Sequence, residues 1–547
     1  MFRYHSYLKT LCHSSQQILA RNFSANALPK LPLADWWLKV AYLEFRAPVV
    51  YFSSPGLVFP KQTFKNADDR IRYASQVVAA AVDFKLSIDQ NKIKQEMYGK
   101  APLDMSQYKK VFGTCRIPNK PGDKLEYYPN SRHIVVMHKN HAFKLDVVTA
   151  EGTAVDSKQL AQSFKRILEL SRKPAEPIGI LTSNDRDSWS DAYALLTGNA
   201  ENVRSLQAIA ESLFVLCFDD KYRPGDQRAD CGRDPDRDMN DCGQLCMHGG
   251  GSSHNGGNRW YDKTIQFIIG EEGHVGLTYE HSPAEGQPIA VMMDHIVKHL
   301  AASKTDDCSG AGGDSSAAGD LQELDFCTSN DVKEHIKKAS ANLDALVEDC
   351  DTACFKFKHF GKNFVKSVKL SPDSFLQMAM QYAFYRARRT LRVGDDTNVR
   401  RRPNGDDSLV LGRVDRVCSH HDQRDGVACR KGARAQGGRR RHLLGLKLIA
   451  QENGIPLPDI YTDAGYVRSL NMRISTSQVA SKADGFMVYG PLVKDGYACC
   501  YNPLDNEVNF GITAHASNPT SSANNFRVYL EQCLLDMQNI FVSHAKL

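Results

Sequence analysis

Short apolar runs and long amphipathic stretches alternate along this chain of 547 residues, and that alternation most limits what it can become. From Ala67 to Ser87, Ile71, Ala74, Val77, Val78, Ala81 and Phe84 recur at the spacing of one helical face. His133 to Met137 and Pro177 to Leu181 are short apolar runs of the kind that form buried strands, and Thr264 to Glu272 with Val275 to Thr278 suggest a hairpin. Val332 to Val347 is again amphipathic, with Ile336, Ala339, Leu343 and Leu346 on one face. Ser371 to Tyr385 reads as a helix with Ser371 as its cap and Pro372 in its first turn, and a last helix is expected from Asn524 to about Val542. Ser303 to Asp320, rich in Gly, Ser, Ala and Asp, reads as a linker. Interleaved strands and helices imply an α/β protein, divided into two halves near that linker.

With 42% hydrophobic and 24% charged residues, the chain can build real cores, which excludes a disordered or collagen-like protein. No apolar run approaches the roughly 18–20 residues of a membrane span. Fifteen cysteines without dense, even spacing read as mostly reduced thiols. The net charge of +6 is unevenly spread. Residues 387–441 hold fourteen Arg and one Lys against seven Asp and no Glu, so the remainder of the chain is slightly acidic. A nucleic-acid footprint across the protein is therefore not expected. The first 34 residues contain Arg3, Lys9, Arg21 and Lys30 and no acid, with several serines. That composition reads as a mitochondrial transit peptide, the alternative being an ordinary disordered terminus. The last three residues, Ala545-Lys546-Leu547, are a near variant of a peroxisomal address.

Several residues could carry chemistry. His281 offers an imidazole that titrates near neutrality, and Glu285 lies four positions on; if Pro283 opens a helix, the two share a face. A lone His in such a setting is more often structural. Lys362 and Lys366 follow Gly361 four residues apart, which suits a phosphate-bearing ligand or, more blandly, a solvated basic face. Asp373 in a first helical turn can complement the helix dipole. Ser475-Thr476-Ser477 can be a polar edge strand. Cys231, Cys242, Cys246 and His248 invite a zinc site, but they lack paired C-x₂-C spacing and no metal is expected. Gly249 to Gly251 reads as a tight turn, since no Lys-Ser/Thr ending follows it.

Five segments recur in a telling order. They are Met247-His248-Gly249-Gly250-Gly251-Ser252 followed by Asn258-Arg259-Trp260-Tyr261-Asp262-Lys263-Thr264; Tyr279-Glu280-His281-Ser282-Pro283-Ala284-Glu285-Gly286; Phe360-Gly361-Lys362-Asn363-Phe364-Val365-Lys366 with Leu370-Ser371-Pro372-Asp373; Arg441-His442-Leu443-Leu444-Gly445-Leu446; and Ser475-Thr476-Ser477-Gln478 with Tyr489-Gly490-Pro491 and Asp495-Gly496-Tyr497. Together they resemble the carnitine/choline acyltransferase family, from Leu31 to the end of the chain apart from one aberrant segment. The resemblance implies two similar mixed-sheet α/β domains like that of chloramphenicol acetyltransferase, 35–325 carrying the catalytic His and 326–547 binding coenzyme A and carnitine, with an active-site tunnel between them. It implies reversible transfer of a short acyl group, acetyl, between coenzyme A and carnitine, with no covalent intermediate.

On that resemblance His281 is the general base, Glu285 its partner, and Ser477 a donor to the developing oxyanion. Lys362 and Lys366 meet the 3′-phosphate end of coenzyme A, and Asp373 and Gln478 also contact it. Arg441 selects the carboxylate of carnitine, which choline lacks. Tyr42 and Ser475 are further carnitine contacts, and Met487 fills the acyl pocket. Choline acetyl transfer and medium-chain acyl transfer are the rival activities, and a non-catalytic relic is the rival of another class. The expected partners are carnitine and an acyl-CoA, the latter a co-substrate rather than a permanent cofactor. No nucleic acid, no metal, at most peripheral membrane contact and a monomeric state are expected.

Two regions depart from the family. Several dozen residues normally found between the positions of Leu33 and Asp35 are missing. Residues 387–440 replace motifs that help bind carnitine, and 387–441 contain no aromatic residue, Ile or Met. The degenerate codons of Pro403 to Val410, read one base forward, allow Arg-Thr-Glu-Thr-Ile-Arg-Ser, which fits a missing motif. Residues 387 to about 440 are thus expected to be translated out of frame, the alternative being a genuine Arg-rich insertion.

Overall fold

A computed structural model describes residues 33–98, 100–222, 235–303, 321–394, 443–479 and 481–544. The expected leader to residue 32, the linker at 304–320, most of the out-of-frame segment, Cys231, Arg441 and the last three residues lie outside the described residues.

The chain divides into two compact units. One gathers 1–42 and 403–472. In it a helix, Leu33–Trp37, runs into a π-helical stretch, Leu38–Leu43, that holds Tyr42. A helix over 443–452 is followed by a 3₁₀ turn, Asp459–Tyr461, and by the helix Ala464–Leu470. Asp463 caps that last helix by accepting from the Gly465 and Tyr466 amides, and the Tyr461 hydroxyl donates to the Leu443 carbonyl at 2.7 Å.

The other unit gathers 43–402 and 473–547 and holds the sheets. Its first strands in chain order are β1 (Gly56–Val58), the hairpin β2 (Met97–Tyr98) and β3 (Ala101–Pro102), and the hairpin β4 (Thr114–Ile117) and β5 (Lys124–Tyr127). Then come β6 (His133–His138), β7 (His141–Asp146), β8 (Val215–Asp219), β9 (Ile265–Gly270), β10 (Val275–Tyr279) and β11 (Leu321–Glu323). The last are β12 (Cys350–Phe357), β13 (Ile474–Gln478), β14 (Phe486–Val488), β15 (Tyr497–Pro503) and β16 (Val508–His515). Eight of them form one mixed sheet in the order β11-β7-β6-β8-β9-β10-β1-β14, and a second mixed sheet runs β12-β16-β15-β13. In the first, β6, β8 and β9 are parallel and the other pairings antiparallel. The parallel strands are buried along their whole length, as expected for strands covered on both faces. The α/β class read from the sequence holds.

The helix Ala67–Asp89 begins where the Asn66 side chain accepts from the Asp69 amide at 2.9 Å, and it buries Ile71, Val77, Val78 and Phe84 against the sheet core. Each such side chain stabilises the fold by roughly 1.5–3 kcal/mol. The hairpin expected near 264–278 is β9 with β10, and the helices Asn330–Glu348, Pro372–Gly394 and Ala523–His544 appear where the patterns placed them.

Two local expectations are corrected. Ile178–Ser183 is a 3₁₀ helix, not a strand: Gly179 lies so close to the Arg259 and Gly257 carbonyls that a Cβ there would overlap them, and the segment turns beneath that loop. Pro283 does not open a helix; the next helix is Gly286–Ser303, and 281–283 form a bend. Sequence order and sheet membership also part company, since β14, from the C-terminal part of the chain, pairs with β1 in register Leu57 to Met487.

Candidate functional site

Tyr279 is the last residue of β10, an interior strand of its sheet, and the chain then bends through Glu280, His281 and Ser282. Backbone hydrogen bonds hold this bend from several sides. Tyr279 donates to the Pro55 carbonyl at 3.2 Å, Glu280 to Thr264 at 3.0 Å, and His281 to Ser53 at 3.0 Å. Residues 48–55 are themselves tightly placed. Tyr51 has φ 77°, in a region unfavourable for a residue with a side chain, and its carbonyl accepts from the Gly490 amide at 2.7 Å. One strained turn thus holds the His281 bend and the chain after β14 together.

The His281 imidazole is 22% exposed and stands 3.4 Å by Nε2 from the Glu285 carboxylate, which is 54% exposed. The bend alone brings them together, without the helical spacing expected. The Tyr279 ring lies 5.6 Å from that of His281, and its hydroxyl is 3.6 Å from the Met487 sulfur. Met487 is 6% exposed and belongs to the core that includes Tyr279. Two residues beyond it, the Tyr489 and Ser475 hydroxyls are 2.7 Å apart. Burial raises the Tyr489 phenol well above its ordinary range, so it stays neutral. Tyr279 thus links His281 to Met487, and Tyr489 meets Ser475, roles the sequence did not disclose.

β13 is an edge strand, paired parallel to β15 from Ile474 with Tyr497 to Gln478 with Tyr501. Alternation puts Ser475 and Ser477 on one face and Thr476 and Gln478 on the other. The second face is anchored to the helix Pro372–Gly394. Gln377 donates to the Thr476 hydroxyl at 3.0 Å and to the Tyr501 hydroxyl at 2.9 Å, and Tyr501 in turn donates to Asp373. Asp373 and Gln478 thus meet around Tyr501. The same helix starts as the sequence predicts, with the Ser374 amide on the Ser371 hydroxyl at 3.4 Å.

Lys362 and Lys366 lie on the short helix Lys362–Ser367, which the turn between β15 and β16 holds through the Leu504 and Asp505 carbonyls. Lys362 makes an ion pair with Asp505 at 3.0 Å, while Lys366 is exposed. Cys242, Cys246 and His248 are buried on or at the end of the helix Pro235–His248. Among the described residues no group of three or more His, Cys, Asp or Glu is arranged to hold a metal ion, and no helix is long and apolar enough to cross a membrane. Tyr42 belongs to the other unit.

The sequence matches the profile of the family described as Choline/Carnitine o-acyltransferase over residues 8–394 and 423–532. The chain belongs to the choline/carnitine O-acyltransferase family. It is 37% identical over 544 residues to a carnitine O-acetyltransferase of Columba livia, a match covering 94% of this chain and 84% of that protein. A carnitine O-acetyltransferase of Homo sapiens is 36% identical with the same coverage, and a choline O-acetyltransferase of Danio rerio is 31% identical over 92% of this chain and 82% of its own. The interruption of the family match, 395–422, falls inside the segment read as out of frame and contains Pro403 to Val410. The helix Pro372–Gly394 runs on past residue 387 up to that interruption.

Proposed function

We propose that this protein transfers an acetyl group reversibly between coenzyme A and carnitine, with His281 as general base. Membership of the family and 36–37% identity to carnitine O-acetyltransferases carry the acyl-transfer reading. The observation that supports the residue assignment is His281 just after β10, partly exposed, with a carboxylate beside it and a buried thioether within reach of the neighbouring tyrosine.

In the forward direction the imidazole takes the proton from the carnitine hydroxyl as its oxygen attacks the thioester carbonyl. Glu285 stabilises the imidazolium. Ser477 donates to the tetrahedral oxyanion, a bond stronger in the transition state than in the ground state. Collapse breaks the carbon–sulfur bond, and the departing thiolate receives the proton from His281. Lys362, Lys366, Asp373 and Gln478 hold coenzyme A, and Arg441, Tyr42 and Ser475 hold carnitine. Met487 limits the acyl chain. Arg441 favours carnitine over choline because only carnitine offers a carboxylate.

The finer assignments extend to organisation and address. The domains are 35–325 and 326–547, and 387–440 is out of frame. The acid-free leader supports a mitochondrial location, with a peroxisomal one as the second address. The interruption at 395–422 favours one other reading, a chain that binds but no longer turns over.

Thiol release from acetyl-CoA in the presence of carnitine tests the proposal, with choline and octanoyl-CoA as comparison substrates. His281→Ala is expected to lose about 10²–10⁴-fold in kcat. Unchanged turnover in that variant overturns the mechanism, and no turnover in the wild-type chain, with both ligands bound, favours the relic.

A further inference from the structure

Glu280, between Tyr279 and His281, is 1% exposed, yet it is a carboxylate. Its two oxygens are used differently. Oε1 receives Arg116 Nη1 at 3.1 Å and lies 3.5 Å from the Ser53 hydroxyl. Oε2 receives the Ser282 amide at 3.1 Å and the Ser282 hydroxyl as well. One oxygen thus faces the protein interior and the other the residue just after His281.

Behind it runs a buried relay of charge. Arg116 Nε donates to Asp123 at 2.7 Å, Arg186 Nε to the same oxygen at 2.6 Å, and Arg186 Nη1 to Asp262 at 2.6 Å. Trp189 closes the far end on Asp262 at 2.6 Å, and Arg46 reaches Asp123 at 2.9 Å. Burial works to raise the Asp123 carboxyl, but Arg186 and Arg116 outweigh it and hold it below the ordinary range. Three guanidinium groups, Arg46, Arg116 and Arg186, face the buried carboxylates Asp123, Asp262 and Glu280, and Arg46 also reaches the exposed Asp187 at 3.0 Å. A cluster of paired charges can hold buried charge, and it gives Glu280 a fixed anchor on β4. If Glu280 served only to neutralise Arg116, its second oxygen would have no need of Ser282.

We propose that Glu280 is the positioning residue of His281, holding the bend that carries the imidazole through Ser282 and Ser53 while anchored on Arg116. This rests on the assignment of His281 as general base. The backbone bond from His281 to Ser53 fixes the same short segment from its other side, so the Cα of His281 is placed before substrate arrives. Misplacing a reacting group by about 1 Å costs on the order of a hundredfold in rate.

The test compares Glu280→Gln, Ser282→Ala, their combination and His281→Ala in the full chain. Arg116 keeps Asp123 in Glu280→Gln, so the fold has its remaining anchor. Three quantities are read: kcat with KM for both substrates, thermal midpoint, and the rate of carbethoxylation of His281 by diethyl pyrocarbonate, with exposed His359 as internal control. Glu280→Gln is expected to lower kcat about ten- to a hundredfold with KM changed less than about twofold. His281 is expected to be modified several times faster as the ring is released, and His359 at the wild-type rate. Ser282→Ala shifts both readings less in the same direction, and the double variant is no worse than Glu280→Gln. The proposal fails if Glu280→Gln leaves both kcat and His281 reactivity at wild-type values, or if kcat falls only in proportion to unfolded protein. Turnover surviving in His281→Ala instead refutes the general-base assignment. The modification rates decide the positioning role even in a chain that does not turn over.

Discussion

Replacing Met487 by Ala should convert a short-chain site into one that accepts longer acyl groups. Met487 sits on β14 in register with Leu57, is 6% exposed, and touches the Tyr279 hydroxyl through its sulfur. Truncation to Ala removes three heavy atoms beside the ring that lies against His281. If that space continues the acyl position, about three further methylene groups can enter it. Each buried methylene contributes about 0.8 kcal/mol, so a chain of that extra length gains about 2.4 kcal/mol, or roughly fiftyfold in kcat/KM relative to acetyl. The same truncation costs about 2–5 kcal/mol of stability, because Met487 also belongs to the core. The assay is kcat/KM for acetyl-, butyryl-, hexanoyl- and octanoyl-CoA in wild type and variant, with urea unfolding alongside. A variant that loses stability yet keeps the wild-type ratio of hexanoyl to acetyl transfer would show that Met487 fills core only, and the pocket assignment would be wrong.

Other outcomes follow from buried charge and from the reading frame. Burial lowers the pKa of His248 to about 3, with Arg259 adding to the effect, and burial likewise lowers that of His138 to about 3. Below about pH 6.5 the unfolded chain binds protons these rings refuse, so stability should fall with pH by about 1.4 kcal/mol per unit for each ring, down to about pH 3. Urea midpoints between pH 5 and 8 should flatten in His248→Leu, and an unaltered slope would contradict the assignment. Arg186→Met leaves the buried Asp262 without its guanidinium partner and takes one of three from Asp123, and should cost about 3–5 kcal/mol by urea unfolding, against which a loss under 1 kcal/mol would count. Tyr501→Phe removes the hydroxyl shared by Asp373 and Gln377, and should raise KM for coenzyme A severalfold while leaving that for carnitine unchanged. Sequencing the transcript across codons 380–445 should reveal a shifted frame that encodes Arg-Thr-Glu-Thr-Ile-Arg-Ser, and its absence ends the out-of-frame reading.

The elements with clear periodicity were legible: the helices at Ala67, Asn330, Pro372 and Ala523, and the β9–β10 pair. Ile178–Ser183 was not, because a short apolar run looks the same in a strand and in a buried turn of helix. His281 and Glu285 were visible as a motif, although the bend that joins them was not. Glu280 stood in that same motif and went unnoticed as a functional residue, since its partner Arg116 is remote in sequence and nothing local announces a buried pair. Tyr279, Tyr489 and Tyr501 were hidden for a similar reason. A tyrosine among apolar residues reads as core until its hydroxyl is seen to reach Met487, Ser475 or Asp373.

The pairing of Gly56 with Val488 has a consequence for biosynthesis. As the polypeptide leaves the ribosome, β1 can find β10 early, but its outer row of amides and carbonyls has no mate until nearly the whole chain has emerged. During that interval the sheet carrying the His281 bend presents a sticky rim to other nascent chains. Any C-terminal truncation before Val488 should leave that rim permanently bare and send the product into aggregates or to a chaperone.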